Sequence, residues 1–393
     1  MSETRLPGQD RPETLPPFVG PIDRRAPPSL PPLPPAERVG FCLVGLGRLS
    51  LESIIPALAM SRLCCLRAVM TGDRDKGVRV ARQHGLPHTA VYDYDEWDRL
   101  AADETVRAVY IVTPNGLHLD QVRQAARIGR HVLCEKPMAN DSIEADAMVA
   151  SCAAAGVTLM VAYRLQYEPH HQELTRIVRS GQFGALKLIE AHNGQVQDTA
   201  PQWRHVRALA GGGALPDIGI YGLNFSRFIT GEEPVEVMAW SWSTPGDARF
   251  AEVEENIAWM MRFPSGTVAR LAAAYDAHEA RPARLYFQQA VVALEPAFAY
   301  RGLRLHVHRR APDREDAELV EERITGETNQ FSAEMDHMAD CVLTGRRPRT
   351  PGEEGVQDHR VMEAIYRSAR ENRPVSLPLV SGLDAFRGPA LKG

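Results

Sequence analysis

The feature of this chain that most constrains its fold is a glycine-rich turn, Gly45-Leu46-Gly47-Arg48-Leu49-Ser50, set between two apolar segments. The run Val39–Val44 before it predicts a buried strand, and apolar residues recur at helical spacing after it. In a strand, turn and helix of this kind, Gly45 permits the tight turn, Gly47 lets the backbone approach a phosphate, and the small Ser50 allows close helix packing. The turn, with Arg48 and Leu49, therefore predicts a dinucleotide site, although similar turns occur in α/β proteins that bind no nucleotide.

Short apolar runs alternate with helical periodicity up to about residue 159, as a parallel sheet with crossover helices requires. The predicted strands span residues 40–44, 65–70, 108–112, 131–134 and 158–161. Helices are predicted to begin near Ser50, Asp75, Leu117 and Ser142. This alternation predicts an α/β fold whose first domain, over residues 37–160, is a Rossmann domain with a doubly wound parallel sheet.

The second half of the chain predicts a different arrangement. Strands are predicted over residues 186–192, 235–243, 256–263 and 267–275, the last two joined by a hairpin turn at Pro264-Ser265-Gly266. Helical periodicity returns over residues 331–343 and 356–369. Because 393 residues exceed one ordinary domain, we predict a second α/β domain over residues 161–393, which binds substrate, mediates oligomerisation and packs its final helices back on the first domain.

The charge and residue balance argues against several classes of partner. The net charge is −5 and 24% of residues are charged, so no basic excess is available to bind nucleic acid. No apolar run approaches the roughly 20 residues of a membrane helix, and the start lacks the charged and apolar regions of an export signal. We expect a cytoplasmic protein rather than a periplasmic one.

The six cysteines form no CxxC pair, so we predict reduced thiols and no metal site.

The first 36 residues form a segment of their own, because they contain eleven of the 29 prolines and little apolar periodicity. Such a segment forms neither a helix nor a central strand. One interpretation is a disordered or extended polyproline tail. The other is an arm that docks on a neighbouring subunit.

Residues 71–76 bear on the choice of a nicotinamide cofactor. They follow the second strand, about twenty residues after the glycine turn, where an NAD-selective site offers a carboxylate to the ribose 2′-hydroxyl. Thr71 stands there instead, and Arg74 and Lys76 lie near enough to bind a 2′-phosphate. NADP is therefore favoured, while Asp73 keeps NAD as the second choice. The two cations also fit solvated charges at the start of a helix.

Two further strand ends supply candidate site residues, because doubly wound sheets bind ligands at the carboxyl edge of the sheet. Glu135-Lys136-Pro137 follows the fourth strand and places Lys136 at the nicotinamide end, where a cis bond before the proline is one way to turn the lysine into the cleft. Thr113-Pro114-Asn115 and His118 follow the third strand and reach the same edge. A surface lysine, a turn residue or a helix cap also fits these positions.

Asp217 and Tyr221 follow a run of three glycines and lie four residues apart. If a helix begins near Pro216, both side chains share one helix face, so that a carboxylate and a phenol can meet one substrate. The alternatives are a first-turn acid stabilised by the helix dipole for Asp217 and a packing aromatic for Tyr221.

Taken in order, these motifs resemble those of the Gfo/Idh/MocA oxidoreductases, and most of all the glucose-fructose oxidoreductase branch. The resemblance runs from about Gly40 to Leu377 and includes Gln202-Trp203-Arg204, Gly231-Glu232-Glu233-Pro234, Asn329-Gln330-Phe331 and the segment 350–355. It implies a second domain with a large, mostly antiparallel open sheet, whose face joins subunits into a homodimer or homotetramer. It also implies a proline-rich arm that embraces the cofactor region of a neighbour.

The resemblance further implies roles for individual residues. Tyr221, a histidine in many relatives, would be the acid/base, and Lys136 would orient it and stabilise its phenolate. Asp217 would hold sugar hydroxyls in a cleft lined by Tyr163 and Arg164. The cofactor would contact Thr113, Pro114, Asn115, His118, Glu135, Lys136, Arg164, Trp203 and Arg204 in addition to the glycine turn and residues Thr71, Arg74 and Lys76.

The implied activity is an NADP-dependent sugar oxidoreductase. It would oxidise an aldose such as glucose at C1 to the aldonolactone and pass the hydride, through tightly bound NADP, to a second sugar such as fructose. One alternative is an aldose or trans-diol dehydrogenase with exchangeable NADP(H). A lesser one is a non-catalytic NADPH-binding sensor, which the presence of both Lys136 and Tyr221 disfavours.

Overall fold

The computed structural model describes residues 31–34, 36–197, 202–326 and 328–391. Its first domain is built on a six-stranded sheet in the order β3-β2-β1-β4-β5-β6, with every pairing parallel. The strands are β1 Val39–Val44, β2 Cys64–Met70, β3 Val91–Tyr92, β4 Ala108–Ile111, β5 His131–Glu135 and β6 Leu159–Ala162. This order is that of the Rossmann fold, so the predicted doubly wound sheet is confirmed.

Helices cover both faces of this sheet, which is why its central strands are almost wholly apolar. All six residues of β1 and all four of β4 are buried. The helices are α1 Ile55–Met60, α2 Arg74–Gln83, α3 Trp97–Ala101, α4 His118–Arg127 and α5 Ser142–Ala154. The sequence pattern missed β3 and α3, because two and five residues are too short to show a period.

The second domain is built on a nine-stranded sheet in the order β14-β13-β12-β11-β7-β10-β9-β8-β15. Only β7 and β10 pair in parallel; the other pairings are antiparallel. The strands are β7 Leu186–Gln195, β8 Glu236–Trp242, β9 Asn256–Arg262, β10 Val268–Tyr275, β11 Ala283–Phe287, β12 Val291–Glu295, β13 Arg304–Ala311, β14 Arg314–Arg323 and β15 Val375–Ser376. The expected large, mostly antiparallel sheet is confirmed.

Helices cover one face of this sheet, and the strands alternate buried and more exposed residues accordingly. The helices of this part of the described chain are α6 Pro169–Ser180, α7 Arg207–Ala210, α8 Ile220–Thr230, α9 Gln330–Thr344 and α10 Gly352–Glu371. Helices α8 and α10 contact the sheet directly, and α6 packs on α8. The opposite face carries side chains such as Trp240 and Met260, which are 50% and 41% exposed.

Helix α9 packs on the first domain although it lies near the end of the chain. Phe331, Met335 and Met338 join the apolar core of β1 and α1. The carboxylate of Asp336 accepts hydrogen bonds from the Ser61 hydroxyl at 2.5 Å and from the backbone N–H groups of residues 62 and 63 at 3.1 and 2.8 Å. These contacts bring the first turn of α9 under the carboxyl ends of β4 and β5.

The predicted arm, residues 1–36, lies outside the described residues except for 31–34 and 36. Within the described part of the chain, no helix is both long and apolar enough to cross a bilayer.

Candidate active site

The glycine turn has the geometry of a phosphate cradle. Gly45 adopts φ +96°, in the left-handed region that favours glycine. The Ser50 hydroxyl donates a 2.7 Å hydrogen bond to the Gly45 carbonyl oxygen and so closes the turn. Gly47 is exposed, and a Cβ atom built there would meet nothing within 4 Å. Backbone at Gly47 is thus open to a ligand at the start of the following helical segment, Ser50–Ile54, which leads into α1.

The residues proposed to select the cofactor lie beyond β2. The Asp73 carboxylate caps α2, because it accepts a 2.9 Å hydrogen bond from the Lys76 backbone N–H. The Lys76 ammonium donates to the Leu46 carbonyl oxygen in the glycine turn. The Arg74 guanidinium instead forms ion pairs with Asp93 and Glu96, each at 3.2 Å. Of the two predicted cations, Lys76 is the one that contacts the cradle.

Residues 113–118 divide between the cleft and the core. Thr113 and Asn115 are buried, and the Asn115 amide donates a 2.8 Å hydrogen bond to the Ala210 carbonyl oxygen of the other domain. Pro114 lies between them and is partly exposed. The imidazole of His118 is fully buried, with Nε2 2.8 Å from the Thr113 carbonyl oxygen and Nδ1 3.1 Å from the Met138 carbonyl oxygen.

The expectation that His118 contacts the cofactor is therefore wrong. Burial lowers its pKa, so the ring is neutral. A neutral imidazole donates through one nitrogen only. Nε2 faces the Thr113 carbonyl oxygen, while Nδ1 faces the Met138 carbonyl oxygen and the Cys134 thiol, so the ring donates to one of the two carbonyl oxygens. His118 joins two loops of the sheet edge.

Lys136 extends from the end of β5 into the cleft between the domains. The peptide bond between Lys136 and Pro137 is cis. The ammonium donates a 2.7 Å hydrogen bond to the Asp217 carbonyl oxygen and lies 3.7 Å from Oδ1 of the Asp217 carboxylate. It also lies 4.6 Å from the centre of the Tyr221 ring. With 11% of its side chain exposed, this ammonium is largely desolvated.

Asp217 and Tyr221 share one helical face, as their spacing predicts. A wide helical turn, Leu215–Gly219, leads into α8 and carries Asp217. Its Oδ2 accepts hydrogen bonds from Arg204 Nε at 3.1 Å and from the Tyr275 hydroxyl at 2.8 Å. Burial by itself raises the pKa of Asp217, but the charges of Arg204 and Lys136 and the hydrogen bond from Tyr275 outweigh it and hold the pKa below its usual range.

A second cation faces Tyr221. The guanidinium carbon of Arg164 lies 4.8 Å from the Tyr221 ring centre and 4.5 Å from that of Tyr300. It is anchored by hydrogen bonds to the Gln330 amide oxygen and, at 2.7 Å, to the Phe298 carbonyl oxygen. Burial would lower the pKa of Arg164, yet the facing phenols raise it, so this group stays a cation.

Two residues that were expected to contact a ligand have side chains that make other contacts. The Tyr163 ring is 5% exposed and its phenol faces Asp358 of α10, within the buried charge cluster of Arg227, Glu233 and Glu354. The Glu135 carboxylate turns under the sheet edge and accepts a 2.7 Å hydrogen bond from the Tyr110 hydroxyl. Both side chains thus make their polar contacts inside the protein, and a substrate contact for Tyr163 and a cofactor contact for Glu135 stay predictions. Hydrophobic periodicity does not reveal which way a strand-end side chain turns.

The segment containing Trp203 and Arg204 crosses from the second domain to the first. The Arg204 guanidinium stacks on the Trp203 ring at 4.5 Å, so the two side chains form one surface beside Asp217. Helix α7 follows, and the Asn140 amide donates a 2.8 Å hydrogen bond to its Ala208 carbonyl oxygen. Together with the Asn115 contact, this bond fastens the segment over the sheet edge.

Several residues around the cleft were not predicted as site residues. Tyr275 at the end of β10 holds Asp217, and Phe298 stacks on Tyr221 with ring centres 6.2 Å apart. Tyr300 is 47% exposed and covers Arg164. Gln330 occurs in the motif 329–331, but only α9 packing shows that it anchors Arg164. The strand end of Tyr275 was a usable signal, whereas the loop positions 298 and 300 had none.

This arrangement is suited to proton transfer. The centre of the Tyr221 ring lies 4.6 Å from the Lys136 ammonium and 4.8 Å from the Arg164 guanidinium carbon, and Lys136 also contacts the Asp217 carboxylate, which is kept ionised. Among the residues described, no group of three or more His, Cys, Asp and Glu side chains is placed to hold a metal ion.

A Rossmann sheet with a glycine turn after its first strand is typical of nicotinamide-dependent oxidoreductases, and comparison with protein families agrees. An NAD-binding Rossmann domain of the oxidoreductase family matches residues 39–163, a GFO/IDH/MocA C-terminal domain matches 171–292, and a C-terminal α/β domain of the same family matches 295–377. The chain belongs to the GFO/IDH/MocA oxidoreductase family.

Individual relatives refine this assignment. The chain is 32% identical over 347 residues to the D-xylose 1-dehydrogenase [NADP(+)] of Haloarcula marismortui, covering 86% of this chain and 93% of that protein. It is 39% identical to the crystal structure of aldose-aldose oxidoreductase from Caulobacter crescentus complexed with glycerol, with TM-score 0.82, 86% of this chain and 100% of that chain covered. It is also 26% identical to the trans-1,2-dihydrobenzene-1,2-diol dehydrogenase of Xenopus laevis, covering 79% of this chain and 90% of that protein.

Proposed function

We propose that this protein is an NADP-dependent sugar oxidoreductase that oxidises an aldose at C1 to the aldonolactone. In the full cycle, the hydride passes through retained NADP to a second sugar. The observation that carries the proposal is the contact of two cations, Lys136 and Arg164, with the Tyr221 ring. The similarity to aldose-aldose oxidoreductase and to an NADP-dependent xylose dehydrogenase supports the substrate class.

NADP rather than NAD is supported by the contacts beyond β2. No carboxylate stands at Thr71, and the Asp73 carboxylate is occupied in capping α2, so the usual acceptor for a ribose 2′-hydroxyl is lacking there. Lys76 at the cradle supplies a cation for a 2′-phosphate. Gly45, Gly47 and Ser50 would hold the pyrophosphate, and Trp203 with Arg204 would cover the nicotinamide end.

In the proposed first half-reaction, Tyr221 would accept the proton of the anomeric hydroxyl as C1 is oxidised. When bound, NADP supplies the hydride acceptor. Lys136 and Arg164 would stabilise the phenolate that accepts this proton, and Asp217 would accept hydrogen bonds from neighbouring sugar hydroxyls. In the second half-reaction, Tyr221 returns the proton to the carbonyl oxygen of the acceptor sugar. Each full cycle therefore releases no net proton.

The test is to purify the protein without added nucleotide and to identify any bound cofactor by mass spectrometry. We expect NADP, and we expect its near-ultraviolet absorbance to rise on adding glucose or another aldose and to fall on adding fructose or a second aldose. A requirement for added NADP distinguishes the alternatives, because two-sugar transfer proceeds on the retained cofactor alone. Retained cofactor that is inert to a panel of sugars would contradict the proposal and favour the sensor.

A second candidate is an aldose or trans-diol dehydrogenase that exchanges NADP(H). The similarity to a xylose dehydrogenase and a diol dehydrogenase favours it. This enzyme would be purified without nucleotide, would require added NADP, and would release one proton for each aldose oxidised.

We further propose that the outer face of the nine-stranded sheet joins two copies of this chain. Met238, Met260 and Arg270 lie side by side across β8, β9 and β10, next to the exposed Trp240 and Trp242. Exposed tryptophans and methionines grouped on an open sheet face are typical of a subunit interface.

Introducing a charge into this face is expected to separate the subunits. In Trp240→Glu, assembly would bury an unpaired carboxylate, so light scattering should give the mass of one chain where the parent protein gives two or four. Ile143→Glu is the matched control, because Ile143 is 79% exposed on α5 of the first domain and should leave the mass unchanged. A Trp240→Glu variant that keeps the parent mass would remove this face as the interface.

A further inference from the structure

Three buried oxygen-bearing side chains form a chain directly under the active site. The Tyr110 hydroxyl, on β4, lies 2.7 Å from Oε1 of Glu135 and 3.2 Å from Oε1 of Glu334, on α9. Tyr110 and Glu334 are completely buried, and Glu135 is 8% exposed. The proposed mechanism uses none of these groups, yet Glu135 is the residue before Lys136.

The hydrogen-bond count requires an extra proton in this trio. A phenol has one proton to donate, and the shorter distance assigns it to Glu135. The contact between Tyr110 and Glu334 is then a hydrogen bond only if Glu334 donates, which requires a neutral carboxylic acid. The second oxygen of Glu334, Oε2, is buried with no hydrogen-bond partner, as a carbonyl oxygen tolerates better than a carboxylate does.

The surroundings agree with this assignment. Glu334 faces Tyr110, Glu135 and Arg164, and the Arg164 guanidinium is directed to Gln330 and to the carbonyl oxygens of residues 298 and 299. Burial and the charge of Glu135 raise the pKa of Glu334 well above its usual range. Glu135 faces Tyr110, Lys136 and Arg164; burial raises its pKa, while the Lys136 charge acts in the opposite direction.

The geometry points to a proton-sharing triad, Glu135–Tyr110–Glu334, in which Glu334 is a neutral acid and Glu135 alone carries the negative charge beneath Lys136 and Arg164. Glu334 is thus a positioning residue. Its proton keeps a second negative charge away from the two cations that face Tyr221, and its hydrogen bond ties α9 to the sheet edge.

The first test needs no substrate. Infrared spectroscopy separates the carbonyl stretch of a buried carboxylic acid from that of a carboxylate. We expect the purified protein to show an acid band at neutral pH that persists on titration to alkaline pH. The band should be lost in Glu334→Gln and retained in Glu135→Gln. A spectrum without such a band, or a band unaffected by Glu334→Gln, would overturn the assignment.

The second test uses the pH profile of kcat/KM, and of the two tests only this one rests on the proposed function. Glutamine mimics the neutral acid and donates to Tyr110. The Glu334→Gln variant should therefore not shift the acid limb of the profile, which is the low-pH side where kcat/KM falls. Glu135→Gln removes the remaining negative charge and favours the Tyr221 phenolate, so its acid limb should move to lower pH by about one unit.

A shift to lower pH in Glu334→Gln would show that Glu334 is ionised and would overturn the triad. An unmoved limb in Glu135→Gln would likewise place the charge elsewhere. Absence of any sugar activity together with a correct infrared result would contradict the proposed function and leave the triad standing.

Discussion

Replacing Tyr221 by phenylalanine is expected to lower kcat by about 10³-fold, the usual contribution of a positioned acid/base. Only the hydroxyl is lost, because the phenylalanine ring can still stack on Phe298 and lie between Lys136 and Arg164. NADP content and thermal stability should therefore match those of the parent. Stopped-flow measurement of cofactor reduction by an aldose reports the chemical step directly, and mass spectrometry reports the cofactor.

Tyr286→Phe is the matched control, because it removes a phenol on β11 whose hydroxyl donates to Glu190 at 2.7 Å. That variant should reduce its cofactor at the parent rate. If Tyr221→Phe also reduced it within a few-fold of the parent rate, Tyr221 would be excluded as the proton acceptor, and another group in the cleft would have to take that role.

The nucleotide half of the site was predictable because its signals are local. A buried strand, a left-handed glycine at position 45 and a small hydroxyl at position 50 occur within twelve residues, and the structure joins them by a single hydrogen bond. Lys136 follows a strand by one residue, and Asp217 and Tyr221 are separated by one helical turn. Spacing alone therefore predicts which faces they share.

The other contacts of the candidate site could not be predicted, because sequence spacing does not encode contacts between residues far apart in the chain. Glu334 meets Tyr110 across 224 residues of chain, and Arg164 is fixed by Gln330 across 166 residues. The pattern for His118 was equally consistent with a ligand contact or a core clamp, and tertiary burial decided between them. Strands β11 to β14 were also not predicted, and in the last hairpin, β13 and β14, charged residues interrupt the apolar alternation.

Replacing Lys136 by methionine is the second large effect expected, a fall in kcat of about 10²-fold at neutral pH. Methionine fills a similar volume but removes the ammonium that lies 4.6 Å from the Tyr221 ring. Asp217 keeps Arg204 and Tyr275 as partners, so the fold and the bound cofactor should be unaffected. The control is Lys187→Met, which removes an exposed lysine on β7 and should leave kcat unchanged.

The pH dependence separates the role of Lys136 from that of Tyr221. A nearby cation favours the phenolate, so removing the Lys136 ammonium makes that form harder to reach and moves the acid limb of kcat to higher pH. The Lys136→Met variant should therefore recover much of its activity under alkaline conditions, whereas Tyr221→Phe should recover none. A Lys136→Met profile that runs parallel to the parent at every pH would mean that the lysine only positions substrate, and Arg164 would then be the cation that stabilises the phenolate.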